Sequence, residues 1–246
     1  MKEWLEDCES KWNVEILFAC EAGSRAWGTD SVGSDEDLRF IYKHRDIRSY
    51  LSLKKPLEVI DINLPIDAHG WDIFKAFHLA SKSNPSLYEW AYSPINYVDK
   101  NHFSMRLREI IVENYSPFSV AMHYLSLITR NLKEVGNKEN LGKKQQKQLI
   151  QILRSTIILH NIIKNGVAFD PFSIMTQDNG DVWTYYYNVL VEAKRVERLA
   201  PTETLRSIIL SLEIERDKLE RSCHQLSKGE AFNKKLDQWL WEILSL

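Results

Sequence analysis

The spacing of apolar residues changes at about residue 103, and this change limits the fold more than any other feature of the chain. Before it, short apolar or alternating runs separated by turn residues predict strands at Val14–Cys20, Asp37–Lys43 and Leu57–Ile66. After it, apolar residues recur at helical spacing through long segments. The sequence therefore predicts an α+β front domain over residues 1–102 and an all-α back domain over residues 103–246.

Helices are predicted in both domains. In the front domain, residues 1–12 and Gly70–Ser83 have helical spacing, Asn84–Pro94 reads as a turn with a short helix, and Ile95–Val98 reads as a brief strand. The back domain contains five helical segments, which are Phe118–Lys133, Lys143–Asn165, Thr184–Leu199, Thr202–Gln225 and Glu230–Leu246. An acid is expected to cap the Gly70–Ser83 helix, and Asp72 is the candidate.

Charge, cysteine content and hydropathy argue against a strongly basic nucleic-acid-binding protein, a zinc or disulfide-bonded protein, and a secreted or membrane-spanning protein. The net charge is −2 and the pI is near 6.4, so a nucleic-acid partner needs a local basic surface. Lys143, Lys147 and Arg154 recur at helical spacing and could form a limited one. The 3 cysteines have no zinc-ligand spacing and suit a reducing compartment. The N-terminus lacks a secretory signal pattern, and no apolar run spans a bilayer. A cytoplasmic protein without a membrane partner is expected.

A pair of carboxylates near a glycine-serine turn is the strongest chemical signal. Asp35 and Asp37 lead into a predicted strand, and residues two apart on a strand share a face. Two carboxylates this close repel each other unless a divalent cation lies between them, and Mg²⁺ prefers such oxygen ligands. Gly23 and Ser24 follow an apolar run, where free backbone N–H groups and a hydroxyl could hold phosphate oxygens. This combination indicates metal-assisted phosphoryl transfer.

A third carboxylate is expected from a neighbouring strand. Asp67 follows the Leu57–Ile66 strand directly and is the first choice, while Asp61 and Asp72 are alternatives. Acidic turns before strands are common in proteins. The carboxylates alone are therefore also compatible with a solvated turn that has no catalytic role.

Five sequence blocks carry a resemblance to a known family. They are EAGSRAWG (Glu21–Gly28), SDEDLRFIY (Ser34–Tyr42), DAHGWD (Asp67–Asp72), KSNPSLYEW (Lys82–Trp90) and SPINY (Ser93–Tyr97). In this order, they resemble the bacterial and phage family of RNA-repair-associated, polymerase-β-like nucleotidyltransferases, within the DNA polymerase β superfamily. The resemblance implies a nucleotidyltransferase domain with a mixed sheet in residues 1–102. Ala22 stands where the family usually has a serine, which removes one phosphate donor.

The resemblance also implies roles for individual residues. Gly23 and Ser24 would bind the nucleotide phosphates, and two Mg²⁺ ions, or Mn²⁺ in their place, would be held by three carboxylates. Those ligands are Asp35, Asp37 and Asp67. Triphosphate or substrate contacts are implied for Arg39, Lys82 and Arg154.

Each of the basic candidates has a structural alternative. Arg39 lies on the strand face of Asp37 and could neutralise the carboxylates, while Lys82 could offset a helix dipole. Arg154 could form a salt bridge within its helix. Trp71 is expected to pack, and Trp90 and Tyr97 are interpreted as core residues.

The predicted activity is transfer of a nucleoside monophosphate from an NTP to an acceptor hydroxyl, with release of pyrophosphate. Family association with RNA repair makes an RNA or tRNA 3′ end the expected acceptor. Two alternatives stay open at this point. One is protein adenylylation, as in antitoxin-like members of the superfamily, and the other is a catalytically inactive module that binds nucleotide or RNA.

Overall fold

The computed structural model describes residues 1–166, 170–176, 180–230 and 232–246. These residues form two compact units. The sheet unit comprises residues 1–28, 35–115 and 230–246, and the helical unit comprises residues 29–34 and 116–229. This division differs from a single cut after residue 102, because the helix that follows residue 102 and the last helix of the chain both belong to the sheet unit.

The sheet unit is built on a mixed sheet of five strands in the order β3-β4-β2-β1-β5. The strands are β1 (Val14–Glu21), β2 (Asp37–His44), β3 (Val59–Ile62), β4 (Asp67–Asp72) and β5 (Asn96–Asp99). Strands β2 and β4 pair in parallel, and the other neighbours pair antiparallel. Together with a helical remainder, this mixed sheet confirms the predicted α+β class.

The prediction of one strand over Leu57–Ile66 and of a helix starting at Gly70 is wrong. The chain forms the short strand β3, turns, and then forms β4 over Asp67–Asp72, so Asp67 begins a strand instead of following one. Pro65 has no backbone N–H and interrupts a continuous ladder. Pairing of β4 with β2 then extends residues whose spacing resembled a helix. The helix begins only at Ile73.

Helices cover both faces of the sheet. They are α1 (Lys2–Trp12), α2 (Gly23–Ala26), α3 (Ile73–Ser81), α4 (Pro85–Tyr92), α5 (Phe103–Asn114) and α11 (Asn233–Leu244). Leu5 and Cys8 of α1 join a buried cluster with Phe40 and Ile60. The ring of Trp239 in α11 lies 4.8 Å from the rings of Phe77 and Phe103. This aromatic group fixes α11 within the sheet unit.

The helical unit consists of four amphipathic helices of 14 to 23 residues and one short helix. They are α6 (Pro117–Gly136), α7 (Lys143–Asn165), α8 (Pro171–Thr176), α9 (Val182–Arg195) and α10 (Thr202–Cys223). Side-chain oxygens cap α6, α8 and α9: Ser116 accepts a bond from the N–H of Ser119, Asp170 accepts bonds from those of Phe172 and Ser173, and Asp181 accepts one from that of Thr184. None of the helices in the described residues combines the length and the hydropathy of a membrane-spanning segment.

Candidate active site

Two of the predicted carboxylates meet at the start of adjacent parallel strands. Asp37 of β2 lies opposite Asp67 of β4 in the strand register, so their side chains leave the sheet on the same face. The Asp37 side chain is 24% exposed and that of Asp67 is 47% exposed. Both are therefore accessible, and Asp67 is the more open to an incoming molecule. The structure brings together two acids that are 30 residues apart in the sequence.

The guanidinium of Arg39 contacts both carboxylates. Its Nη1 lies 3.2 Å from Oδ1 of Asp67 and donates to the carbonyl oxygen of the same residue at 3.1 Å. Its Nη2 lies 3.7 Å from Oδ1 of Asp37. Because its donors point at the acids and at nearby backbone, this geometry favours the neutralising role over a direct contact with a triphosphate.

The electrostatic environment disfavours an ionised Asp37. Burial raises the pKa of this carboxyl, the positive Arg39 lowers it, and the negative Asp67 and Glu21 raise it further, so the net pKa lies above the ordinary value. One guanidinium therefore does not offset the burial and the neighbouring negative charges. An additional cation at this position would stabilise the ionised form.

The glycine-serine turn adjoins the acidic pair. Strand β1 ends at Glu21 and α2 begins at Gly23, which has a φ of +55°. A Cβ built on Gly23 would lie 1.5 Å from Oδ2 of Asp37, so the absent side chain leaves the space that this carboxylate occupies. Ser24 is the next residue, half-buried in the only turn of α2. The expected strand-to-helix turn therefore forms, and it forms against the acids.

Asp35 lies outside the strand. Strand β2 begins at Asp37, and Asp35 is exposed in the segment before it, so strand alternation orients Asp37 alone. Its neighbour Glu36 accepts a bond from Arg25 at 2.8 Å and is directed to that side chain. Within the part of the chain that the structure describes, no three His, Cys, Asp or Glu side chains are gathered as a metal site. Metal ligation by Asp35 stays a prediction.

The two alternative acids have other partners. Asp72 is buried, accepts a 2.5 Å bond from the Tyr50 hydroxyl, and caps α3 by accepting from the N–H of Phe74 at 2.9 Å. The expected capping role is thus observed. Asp61 lies on the edge strand β3, exposed, with Oδ1 3.2 Å from Nδ1 of His69. Of the three candidates, Asp67 is the one opposite Asp37.

The remaining predicted residues lie elsewhere. Lys82 is exposed at the C-terminal end of α3, where a cation offsets the helix dipole. Arg154 belongs to α7 of the helical unit and is half-buried. Burial of the phenol raises the pKa of Tyr187, and the positive charge of Arg154 offsets only part of that rise. Trp71 packs as expected, with its ring 3.8 Å from that of Trp90.

Sequence reasoning missed one residue of this site. Glu21 is buried at the end of β1, and its Oε1 accepts a 2.9 Å bond from the backbone N–H of Asp37. Its other oxygen accepts a hydrogen bond from the hydroxyl of Tyr97, which was interpreted only as a core residue. The only sequence signal for Glu21 is an acid at the end of an apolar strand. Its partner Tyr97 is 76 positions away along the chain, so local spacing does not predict their contact.

Comparison with known proteins gives the site a family context. A family model described as the RNA repair pathway DNA polymerase beta family, RlaP, matches residues 1–242. The uncharacterized protein YcgL of Bacillus subtilis (strain 168) is 34% identical over 164 residues. That match covers 66% of this chain and 62% of YcgL. Since the family model spans nearly the whole sequence, this chain belongs to the RNA repair pathway DNA polymerase beta family.

Proposed function

We propose that this chain is a magnesium-dependent nucleotidyltransferase that transfers a nucleoside monophosphate from an NTP to a hydroxyl at an RNA or tRNA 3′ end. The observation that carries the proposal is the in-register pair of Asp37 and Asp67, with the Gly23 turn against it. Neighbouring carboxylates beside a phosphate-binding turn are the minimum apparatus for metal-assisted phosphoryl transfer. Membership in a polymerase-β family agrees with that chemistry.

The residues present fit a divalent cation of the magnesium type. Carboxylate oxygens are its preferred protein ligands, and Asp37 and Asp67 supply them from adjacent strands. The raised pKa of Asp37 indicates that Arg39 does not fully balance the burial and the negative charges around this carboxyl. Asp35, two residues before β2, is the third proposed ligand. When bound, Mg²⁺ or Mn²⁺ would activate the acceptor hydroxyl and neutralise charge on the phosphates.

The other proposed roles in the reaction belong to side chains and backbone groups of this chain. Asp67 is the more exposed acid, so we assign it to the acceptor hydroxyl, whose proton it would take. Arg39 holds Asp67 by both its carboxylate and its carbonyl oxygen. Gly23 and Ser24 offer backbone N–H groups and a hydroxyl to the phosphate tail. Pyrophosphate leaves as the new phosphodiester forms.

Two observations support RNA as the acceptor. The family description refers to an RNA repair pathway. On α7 of the helical unit, Lys143 and Lys147 are exposed one helical turn apart, which gives a local basic surface despite the net charge of −2. Lys82 and Arg154 are the further proposed contacts to substrate.

A transfer assay tests the proposal. The purified protein is incubated with each α-labelled NTP, Mg²⁺, and either tRNA or pooled RNA, and the products are separated by denaturing electrophoresis. We expect label in RNA that requires Mg²⁺ and is lost when EDTA is added. The matched control is Asp37→Asn, which keeps the side-chain shape and removes the charge.

The same assay separates the two competing functions. Label that is found in protein and resists RNase would identify protein adenylylation. An absence of label in either product, with NTP binding retained in an equilibrium dialysis measurement, would identify an inactive nucleotide-binding module. Either result would overturn transfer to RNA.

A further inference from the structure

Glu21 is a buried carboxylate that the proposed chemistry does not use. Only 1% of its surface is exposed, and buried acids are rare unless they are hydrogen-bonded or paired. One of its oxygens accepts from the Asp37 N–H, and the other accepts from the Tyr97 hydroxyl. We propose that Glu21, held by Tyr97, is a positioning residue that fixes Asp37 and increases the affinity of the site for a divalent cation. This inference rests on the proposed nucleotidyltransferase function.

Three consecutive residues hold Asp37 from different sides. The Glu21 carboxylate accepts its backbone N–H at 2.9 Å, and the N–H of Ala22 donates to its carbonyl oxygen at 2.8 Å. Gly23 leaves the space for its Oδ2. The backbone of Asp37 is thereby fixed on both its donor and its acceptor, at the residue where β2 begins. Such double fixation limits the motion of a reacting carboxylate, which is what catalytic geometry requires.

Glu21 is itself held by the segment that ends in β5. The Ser93 hydroxyl donates to the Glu21 carbonyl oxygen at 2.6 Å, and the Glu21 N–H donates to the carbonyl oxygen of Ile95 at 2.9 Å. Tyr97 completes the set by donating to the carboxylate. The EAGSRAWG and SPINY blocks, whose contacting residues are 72 and 76 positions apart, therefore meet at one residue, Glu21. This contact explains a sequence block to which the proposed chemistry gives no role.

The charge of Glu21 acts separately from its hydrogen bonds. A negative charge one hydrogen bond behind Asp37 adds to the negative potential at the acidic pair, and burial reduces the screening of that potential by water. A glutamine would keep the oxygen that accepts from Asp37 while removing the charge. An alanine would remove both. The two substitutions therefore separate geometry from electrostatics.

The experiment compares Glu21→Gln, Glu21→Ala and Tyr97→Phe by kcat, KM for NTP, the Mg²⁺ concentration that gives half-maximal rate, and Tm. For Glu21→Ala we expect kcat to fall on the order of a hundredfold with KM for NTP unchanged, because a displaced catalytic group costs about this much. Glu21→Gln should recover most of kcat at saturating Mg²⁺ but need several times more Mg²⁺. Tyr97→Phe should lower kcat less than Glu21→Ala.

The matched control is Glu15→Gln, the same substitution on the same strand. Glu15 pairs with Lys43 and Lys100 near the start of β1, so its loss should leave the Mg²⁺ requirement unchanged. If the Glu21 variants lower Tm while kcat per folded molecule and the Mg²⁺ requirement stay at wild-type values, Glu21 is only structural and the inference fails.

A second measurement keeps this inference separate from the proposed function. Mn²⁺ binding is titrated by electron paramagnetic resonance on the wild type, Glu21→Gln and Glu15→Gln, without any turnover. Weaker Mn²⁺ binding in Glu21→Gln alone supports the positioning role even if no transfer is detected, in which case the function proposed above is what fails. Equal Mn²⁺ binding in all three proteins overturns the inference even if the wild type is an active transferase.

Discussion

The start of strand β2 and the middle of helix α6 are held in place by different kinds of contact. At β2, Asp37 is fixed by polar groups, which include the buried Glu21, 16 positions earlier in the chain, and the guanidinium of Arg39 on the same strand. In α6, apolar side chains such as Leu125 and Ile128 are buried at helical spacing. The first arrangement restrains a charge that is unfavourable where it lies, and the second removes apolar surface from water.

This difference predicts two opposite responses to substitution. Residues that hold an unfavourable charge should change activity strongly and stability little. Buried apolar residues of the helical unit should change stability strongly and the chemistry little. Experiments that pair one residue from each region can therefore sharpen the contrast or break it.

Asp37→Asn should give the largest effect. Under the proposed function this substitution removes one charge that would bind the metal, and with it several kcal/mol of transition-state stabilisation, so we expect kcat to fall about a thousandfold or more. The free energy of unfolding should be unchanged or higher, because a carboxylate whose pKa is raised in the folded protein is destabilising when ionised. Transfer assays and urea unfolding check the two parts. Near-wild-type turnover in this variant would refute the role of Asp37.

The stability part of this prediction has a definite pH dependence. Burial and the neighbouring negative charges raise the folded-state pKa of Asp37, so the folded protein holds this proton more tightly than the unfolded chain does. As pH falls through the raised pKa, the folded state gains the proton and the destabilisation disappears. The stability advantage of Asp37→Asn over wild type should therefore be present at neutral pH and shrink on acidification. An advantage that grows on acidification would contradict the assigned direction.

Ile128→Ala should give the next largest effect, and on stability alone. Ile128 is fully buried in α6, and truncation of such a residue costs about 2–5 kcal/mol through lost transfer free energy and a residual cavity. The kcat per folded molecule, measured well below the lowered Tm, should equal that of wild type. Ile128→Val is the matched control and should cost about 0.5–1.5 kcal/mol. A large fall in kcat for the folded variant would break the contrast between the regions.

Gly23→Ala should lower activity about a hundredfold, since its Cβ would occupy the position of Oδ2 of Asp37 and displace this proposed metal ligand. Gly28→Ala is the matched control. Gly28 also has a positive φ, of +61°, but a Cβ there meets open space. Both variants should lose about 1–2 kcal/mol of stability from the left-handed backbone. Equal activity of the two variants would show that crowding at Asp37 is unimportant.

The contrast between the regions also explains what the sequence could predict. Helix α7 has the bounds that its apolar spacing indicated, Lys143–Asn165, because helical hydrogen bonds are local to the segment. Local spacing predicts a strand over Leu57–Ile66 and a helix from Gly70 and therefore misses β4, since the partner that makes Asp67–Asp72 a strand is β2, about 30 residues earlier in the chain. Helix α5 was missed as well, although its residues are helical from Phe103 to Asn114.

The candidate site divides in the same way. Asp37 and Gly23 could be identified from short spacings, and Asp67 could be named as one of three acids. The choice among those acids depends on strand register, which places Asp67 opposite Asp37 and Asp61 opposite His69. The part played by Glu21 depends on segments that meet only in the folded chain. The sequence therefore indicates which types of side chain form the site. Strand pairing in the fold determines which of several candidate acids lies there.

Asp61→Asn should give the smallest effect and is the sharpest test of that last step. Asp61 and Asp67 are acids on neighbouring strands, but Asp61 is 60% exposed and its carboxylate pairs with the partly exposed ring of His69. Loss of such a surface pair should change the free energy of unfolding by less than about 0.5 kcal/mol and leave kcat at the wild-type value. Asp67→Asn, the same substitution one strand closer to β2, should abolish transfer. If Asp61→Asn were the inactive variant and Asp67→Asn the active one, strand register would not identify the partner of Asp37. Asp61 of β3 would then replace Asp67 in the proposed site.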